Sequence, residues 1–220
     1  MTVVRAVVFD MDGLLIDSER LAMESLISAG TEFGYTMSPA LCRSMIGVPA
    51  DRCRQLVTDA YGPDFPLEEY FELHEIHLRQ LVDDGKLTTK PGALALLDEL
   101  ERQGIPKAIA TSSSRVRADH HLQLAGLADR FEAVITRQDV VNGKPDPEPY
   151  QKAVVTLGYE VNDTLALEDS TNGLRAAHAA GLRCILIPDL VQPTDESRTL
   201  AHRLYPDLHH VIDYVVAANA

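Results

Sequence analysis

Two carboxylates lie one residue apart near the start of the chain, where a short apolar run ends. The run extends from Val3 to Phe9, interrupted by Arg5, and Asp10, Asp12 and Gly13 follow it. Such a run, ending at a glycine turn, is typical of a strand buried on both faces of a parallel sheet. Its carboxyl end is where open α/β sheets bind ligands, although Asp-x-Asp-Gly is in isolation an ordinary turn. Because side chains alternate along an extended chain, the two carboxylates are predicted to point the same way.

Three later apolar runs also end in side chains that could do chemistry. These side chains are Thr111 with Ser112, Lys144, and Glu168 with Asp169. Because the carboxyl ends of parallel strands meet at one edge of a sheet, we expect them to converge with the first pair. Clustered carboxylates without His or Cys indicate a hard cation, Mg²⁺ before Zn²⁺. Lys144 and the helix that opens after Thr111 are suited to a phosphate group, so the sequence predicts a phosphoryl-binding pocket.

Strands and helices alternate along most of the chain and would position these side chains. The predicted strands are residues 3–9, 107–110, 133–136, 165–167 and 184–187. The alternation predicts βαβ units, right-handed crossovers and a parallel sheet. Residues 194–204 are predicted to be helical, and the tail near 211–216 is predicted to add a short edge element.

A helical segment interrupts this alternation after the first strand. Its predicted helices begin near Asp17 or Ser18, at Pro39, at residue 51 and at residue 67. The predicted fold is therefore an α/β protein with a Rossmann-like parallel-sheet core and an inserted α-helical domain. We assign residues 1–15 and 88–220 to the core and residues 16–87 to the insert, with hinges near 14–17 and 87–91.

The composition excludes several classes of partner. The 220 residues carry a formal net charge of −13 and no basic block, which argues against nucleic acid and anionic membranes. Cys42, Cys53 and Cys184 lack metal-ligand spacing and are predicted to be reduced, mostly buried thiols. No signal sequence or apolar run of membrane-spanning length is evident, so a cytoplasmic location is expected. The size of the chain suggests a monomer.

Four segments together resemble the four motifs of the haloacid dehalogenase-like hydrolase superfamily. They are FDMDG at 9–13, TS at 111–112, GKP at 143–145, and LEDS at 167–170 with Gly173. The resemblance extends along essentially the whole chain. The helical insertion directly after the first motif is similar to members with a helical cap. The stretch from Phe9 to Glu19 resembles the branch that contains phosphosugar phosphatases and β-phosphoglucomutases.

The resemblance implies a catalytic role for both acids of the first motif. Asp10 would attack phosphorus and form an aspartyl-phosphate, while Asp12 would protonate the leaving alcohol and then activate water. Mg²⁺ would be held by the Asp10 carboxylate, the Asp12 backbone carbonyl and Asp169. Glu168 would be a ligand through water or a supporting partner.

The resemblance also implies how a small phosphorylated metabolite would be held. Thr111, Ser112 and Lys144 would bind the oxygens of the transferring phosphoryl group. Glu19, at the start of the first helix of the insert, is a candidate for contact with a sugar hydroxyl. It is equally well interpreted as an acid favoured by the helix dipole.

The resemblance leaves more than one activity open. Dehalogenases lack the second acid, which is present here as Asp12. β-Phosphoglucomutases carry a cap His at a position that falls on Ala22 and a cap Arg at one that falls on Ala50, with Arg52 or Arg54 as candidate substitutes. We therefore favour a Mg²⁺-dependent phosphatase acting on a small sugar phosphate. A phosphosugar mutase is the alternative, and a non-catalytic phosphate-binding or partner-binding protein is a second alternative.

The histidines are interpreted as solvated side chains. The pairs His120–His121 and His209–His210 are adjacent, so their rings diverge and a surface location is predicted for both pairs. His74 and His77 could share a helix face. Without a third ligand nearby they are interpreted as the polar face of a cap helix and not as a zinc site.

Overall fold

The computed structural model describes residues 3–46, 48 and 50–220. The chain forms two compact units, Met1–Asp17 with Thr89–Ala220, and Ser18–Thr88. We call these the core unit and the helical unit. Among the described residues, no helix combines the length and the apolar character needed to cross a membrane.

Helices and strands alternate in the core unit, whereas the helical unit contributes helices between the first and second strands. The strands are β1 (Ala6–Phe9), β2 (Lys107–Ala110), β3 (Ala133–Ile135), β4 (Thr164–Glu168), β5 (Arg183–Leu186) and β6 (Arg203–Leu204). The helices are α1 (Ser18–Glu32), α2 (Pro39–Ser44), α3 (Ala50–Tyr61), α4 (Leu67–Asp83), α5 (Ala93–Arg102), α6 (Arg115–Leu124), α7 (Glu148–Leu157), α8 (Thr171–Ala179), α9 (Asp195–Leu200) and α10 (His209–Asn219).

The strands of the core unit form one parallel sheet in the order β3-β2-β1-β4-β5-β6. Every residue of β1 is buried, as its apolar sequence predicts for a central strand covered on both faces. The strand order reverses beside β1, which makes the carboxyl end of this strand a topological switch point. The predicted α/β parallel-sheet fold with an inserted helical segment is confirmed.

The C-terminal region differs from the prediction. The tail near 211–216 was predicted to form an edge element, but it lies within α10, because Val211, Val215 and Ala218 recur at helical spacing and are all buried. The edge position belongs to β6, whose residues were predicted to end a helix. That helix, α9, already ends at Leu200 because its C-cap residue Ala201 has an extended backbone conformation.

The chain leaves and re-enters the sheet through two adjacent segments of the core unit. Gly13 has φ +86°, which an L side chain rarely adopts, and its N–H donates to the Ile16 carbonyl at 2.9 Å. Ile16 forms an antiparallel bridge with Thr89, and the Lys90 N–H donates to the Leu15 carbonyl at 2.9 Å. These bonds join the two ends of the insertion to each other within the core unit.

The helical unit has its own apolar core, in which α1 packs against α4. His74 of α4 was predicted to lie on a polar face, but it is buried, and its Nδ1 is 2.7 Å from the Ser25 hydroxyl. The prediction was wrong because a single buried hydroxyl on the facing helix is enough to accommodate an inward imidazole. His77 contacts Glu32 at 3.0 Å from Nε2 to Oε1.

Candidate active site

Three carboxylates converge at the carboxyl ends of β1 and β4. Asp10, Glu168 and Asp169 each offer one oxygen, and these oxygens lie within 4.8 Å of one another. The strands are in register at Phe9 and Leu167, so Asp10 and Glu168 emerge side by side. Among the described residues, no other group of three or more acidic, His or Cys side chains lies close enough to hold a metal ion. The all-oxygen donor set fits a hard divalent cation.

Lys144 lies between two of these carboxylates. Its Nζ is 2.6 Å from Asp10 Oδ1 and 2.5 Å from Glu168 Oε1, and all three residues are buried. Burial raises the pKa of Asp10 to about 8, against the lowering effect of the Lys144 charge. Burial by itself lowers the pKa of Lys144, but the charges of Asp10 and Glu168 raise it above its ordinary value. Three acids share one ammonium here, and an added cation would favour their charged forms.

Glu168 has no exposed surface, and both of its carboxylate oxygens accept hydrogen bonds. Its Oε1 accepts from the Tyr150 hydroxyl at 2.7 Å, and its Oε2 accepts from the Ser170 hydroxyl at 3.0 Å and from the Asp169 N–H at 3.1 Å. A Cβ at Gly173 would lie 2.0 Å from the Glu168 carboxyl carbon, so this position of α8 needs a glycine. Tyr150 was not predicted to be a site residue, because an aromatic residue on a helix usually belongs to the apolar core.

Asp12 has a different set of neighbours. Its Oδ2 accepts from the Ser113 hydroxyl at 2.8 Å and faces the Thr111 hydroxyl at 3.3 Å. Its Oδ1 is 3.8 Å from Nδ1 of His121. The loop after β2 therefore folds against Asp12 with hydroxyl groups, whereas the loop after β3 brings a charged ammonium to Asp10.

The predicted phosphate-binding residues lie in two different environments. Thr111 and Lys144 are buried against the acids of the first motif, while Ser112 is exposed. Ser113, which the sequence analysis did not include, is buried and bonded to Asp12. The alternation of side chains could not indicate it, because residues 112 and 113 lie in a bend after β2.

The surface location predicted for His121 is wrong. Its side chain is 2% exposed and lies on the buried face of α6 with Ala118 and Leu122. The two rings of the His120–His121 pair remain in contact, with centroids 5.9 Å apart, and the second of them lies on the buried face of the helix. His120 is half-buried.

Glu19 lies in the first turn of α1, in the helical unit. Burial and then the nearby Glu19 charge raise the pKa of the Cys53 thiol to about 11. Glu19 is therefore close to Cys53 within that unit. Its contact with a substrate hydroxyl stays a prediction.

The core unit is thus a parallel α/β sheet with acids at the ends of β1 and β4 and a lysine after β3. Residues 7–187 match the haloacid dehalogenase-like hydrolase family. The chain belongs to this family and is a hydrolase, which confirms the resemblance found in the four motifs.

Two relatives and a solved structure agree with this assignment. YhcW of Bacillus subtilis is 32% identical over 202 residues, which cover 91% of each chain. The phosphorylated carbohydrates phosphatase of Thermotoga maritima is 32% identical over 181 residues, 82% of this chain and 83% of that one. CbbY from Rhodobacter sphaeroides, solved in complex with phosphate, superposes with a TM-score of 0.80 at 25% identity, covering 94% of this chain and 96% of the other.

Proposed function

We propose that this hydrolase is a Mg²⁺-dependent phosphatase. It releases inorganic phosphate from a small phosphate monoester, a sugar phosphate, through an aspartyl-phosphate on Asp10. The observation that carries the proposal is the convergence of Asp10, Glu168, Asp169 and Lys144 at one edge of the sheet. The sugar class is supported by the phosphatase of phosphorylated carbohydrates among the relatives.

In the first half-reaction Asp10 is the nucleophile. One of its carboxylate oxygens forms a bond to phosphorus, and the bond from phosphorus to the ester oxygen breaks. Asp12 donates a proton to that oxygen, which leaves as an alcohol. Lys144, Thr111 and Ser112 bind the phosphoryl oxygens and keep phosphorus in line with Asp10.

In the second half-reaction Asp12 works in the opposite direction. Its carboxylate takes a proton from a water molecule, whose oxygen attacks phosphorus. The bond from phosphorus to Asp10 breaks, which frees the Asp10 carboxylate and inorganic phosphate. Asp12 is then protonated again and ready for the next ester.

The acidic cluster would hold the metal ion. The Asp10 carboxylate, the Asp12 backbone carbonyl and Asp169 are the proposed ligands. Glu168 already accepts from Lys144, Tyr150 and Ser170, which supports a role through water or through Lys144 for this residue. When bound, Mg²⁺ supplies charge that offsets the negative charge of the transferring phosphoryl group.

A phosphosugar mutase would need a second phosphate site. Arg54, a candidate for that site, binds Glu68 with Nε and Nη2 at 3.2 and 2.8 Å and lies 5.0 Å from the Phe71 ring centroid. Its guanidinium is thus engaged within the helical unit, which favours the phosphatase. Gly47 and Pro49, which precede the Ala50 position, lie outside the described residues.

Phosphate release from a panel of phosphorylated metabolites, with Mg²⁺ and with EDTA, tests the proposal. We expect release from a sugar phosphate that depends on Mg²⁺, and a loss of at least about 10⁴-fold in Asp10→Asn, which keeps the shape but cannot attack phosphorus. Far-UV circular dichroism checks that the variant folds. Glucose 6-phosphate formed from β-glucose 1-phosphate with a trace of bisphosphate would indicate the mutase instead. Phosphate binding without any turnover would indicate the non-catalytic protein.

A further inference from the structure

One imidazole in the core unit is buried beside the acid proposed to transfer protons. His121 is 2% exposed, and its Nδ1 is buried with no hydrogen-bond partner. Oδ1 of Asp12 lies 3.8 Å from this nitrogen. A buried polar nitrogen without a partner is disfavoured unless it serves another state of the protein.

We propose that His121 is a positioning residue for Asp12. It acts on Oδ1 of the Asp12 carboxylate, whereas the hydroxyls of Ser113 and Thr111 contact Oδ2. This inference rests on the proposed function, because it concerns the orientation of the acid that serves the leaving group and the attacking water.

The arrangement of donors around Asp12 carries the proposal. Ser113 and Thr111 contact Oδ2 at 2.8 and 3.3 Å. An N–H on Nδ1 of His121 would approach the other oxygen, Oδ1, and limit rotation of the carboxylate from there. The tautomer follows from the neighbour, because a lone pair on Nδ1 would face a carboxylate oxygen.

The distance of 3.8 Å is longer than a hydrogen bond. Hydrogen bonds in active sites without substrate are often long and tighten in the complex. A shift of the Asp12 carboxylate of about an ångström towards α6 brings Oδ1 into hydrogen-bond range of Nδ1. The contact therefore guides Asp12 when the carboxylate moves between the leaving oxygen and water.

A purely structural role for His121 predicts different behaviour. The ring packs on the buried face of α6 with Ala118 and Leu122, and an apolar ring of similar size would fill that space as well. His121→Phe keeps the volume and removes Nδ1, whereas His121→Asn loses volume and keeps an N–H near the Nδ1 position. His120→Ala is the matched control on the same helix.

The test compares p-nitrophenyl phosphate with phenyl phosphate, whose leaving groups differ in their need for a proton. We expect kcat/KM of His121→Phe to fall about tenfold for phenyl phosphate and less than about twofold for p-nitrophenyl phosphate. His121→Asn recovers part of the loss, and His120→Ala resembles the wild type. Asp12→Asn shows the same dependence on the leaving group with a larger loss. His121→Phe adds no further loss in the Asp12→Asn background, because both changes remove one function.

A second measurement does not depend on turnover. Long-range ¹H–¹⁵N spectra of the histidine rings are expected to show His121 as the Nδ1–H tautomer, with a change in Asp12→Asn. Equal losses for both esters, additivity with Asp12→Asn, or an Nε2–H tautomer would overturn the role of His121 alone. A wild type that releases phosphate from no ester would contradict the proposed function, and this inference with it. Thermal unfolding of every variant excludes loss of the fold as the cause.

Discussion

The two acids of the first motif are two residues apart but lie in opposite kinds of environment. Asp10 is 7% exposed and bonded to a buried ammonium, next to a second buried carboxylate. The Asp12 side chain is 21% exposed and contacts two hydroxyls and an imidazole. Environments that separate two carboxylates in this way assign them different chemical roles. A buried ammonium contacts Asp10, whereas hydroxyls and an imidazole contact Asp12.

Removing the ammonium of Lys144 should lower both stability and activity severely. Lys144→Met leaves Asp10 and Glu168 buried without their shared cation. We expect the free energy of unfolding to fall by about 3–5 kcal/mol and kcat/KM to fall by about 10²–10³-fold. Denaturant unfolding and phosphate release measure the two effects. Lys152→Met, a change at an exposed lysine of α7, is the control, and comparable losses there would argue against a special role for Lys144.

The two serines after Thr111 are expected to differ in their effect, because only Ser113 contacts Asp12. Ser113→Ala removes a buried donor to Asp12, so we expect kcat to fall about tenfold and stability to fall by about 1 kcal/mol. Ser112→Ala changes an exposed hydroxyl that is predicted to bind phosphate, so KM should rise while stability is unchanged. Steady-state kinetics and thermal unfolding of both variants separate these effects. Identical kinetic changes in both would contradict the assignment of Ser113 to Asp12.

Stability in EDTA is expected to depend on pH through Asp10. Burial raises the pKa of Asp10 from 3.8 to about 8, so the folded chain keeps a proton that the unfolded chain has released. The Asp10 contribution to stability is therefore present at low pH and declines as pH rises from about 4 to about 8. Thermal unfolding between pH 5 and 8 should show a steeper decline for the wild type than for Asp10→Asn. Parallel profiles would mean that Asp10 does not carry this proton.

The Asp10 side could be predicted from the sequence and the Asp12 side only in part. Asp10, Lys144 and Glu168 each follow a recognisable apolar run, and parallel topology alone brings such positions to one edge. His121 lies on a helix, where the exposure of a residue depends on which helix face is buried. Two adjacent histidines in the sequence do not indicate that face. The family and the α/β fold are confirmed.

Secondary structure at the C-terminus shows the same limit. The β-branched residues of α10 favour a strand locally, and tertiary packing of Val211 and Val215 decides for a helix. The short strand β6 has two residues, both exposed, so its sequence offers no alternation to detect.

The antiparallel bridge between Ile16 and Thr89 has a consequence for how the chain can vary. The bridge holds the two ends of the insertion together without any contact from the inserted helices. A longer insertion would therefore cost only the slowly growing entropy of closing a larger loop. The acidic edge of the sheet can thus stay constant while the length of the intervening segment varies.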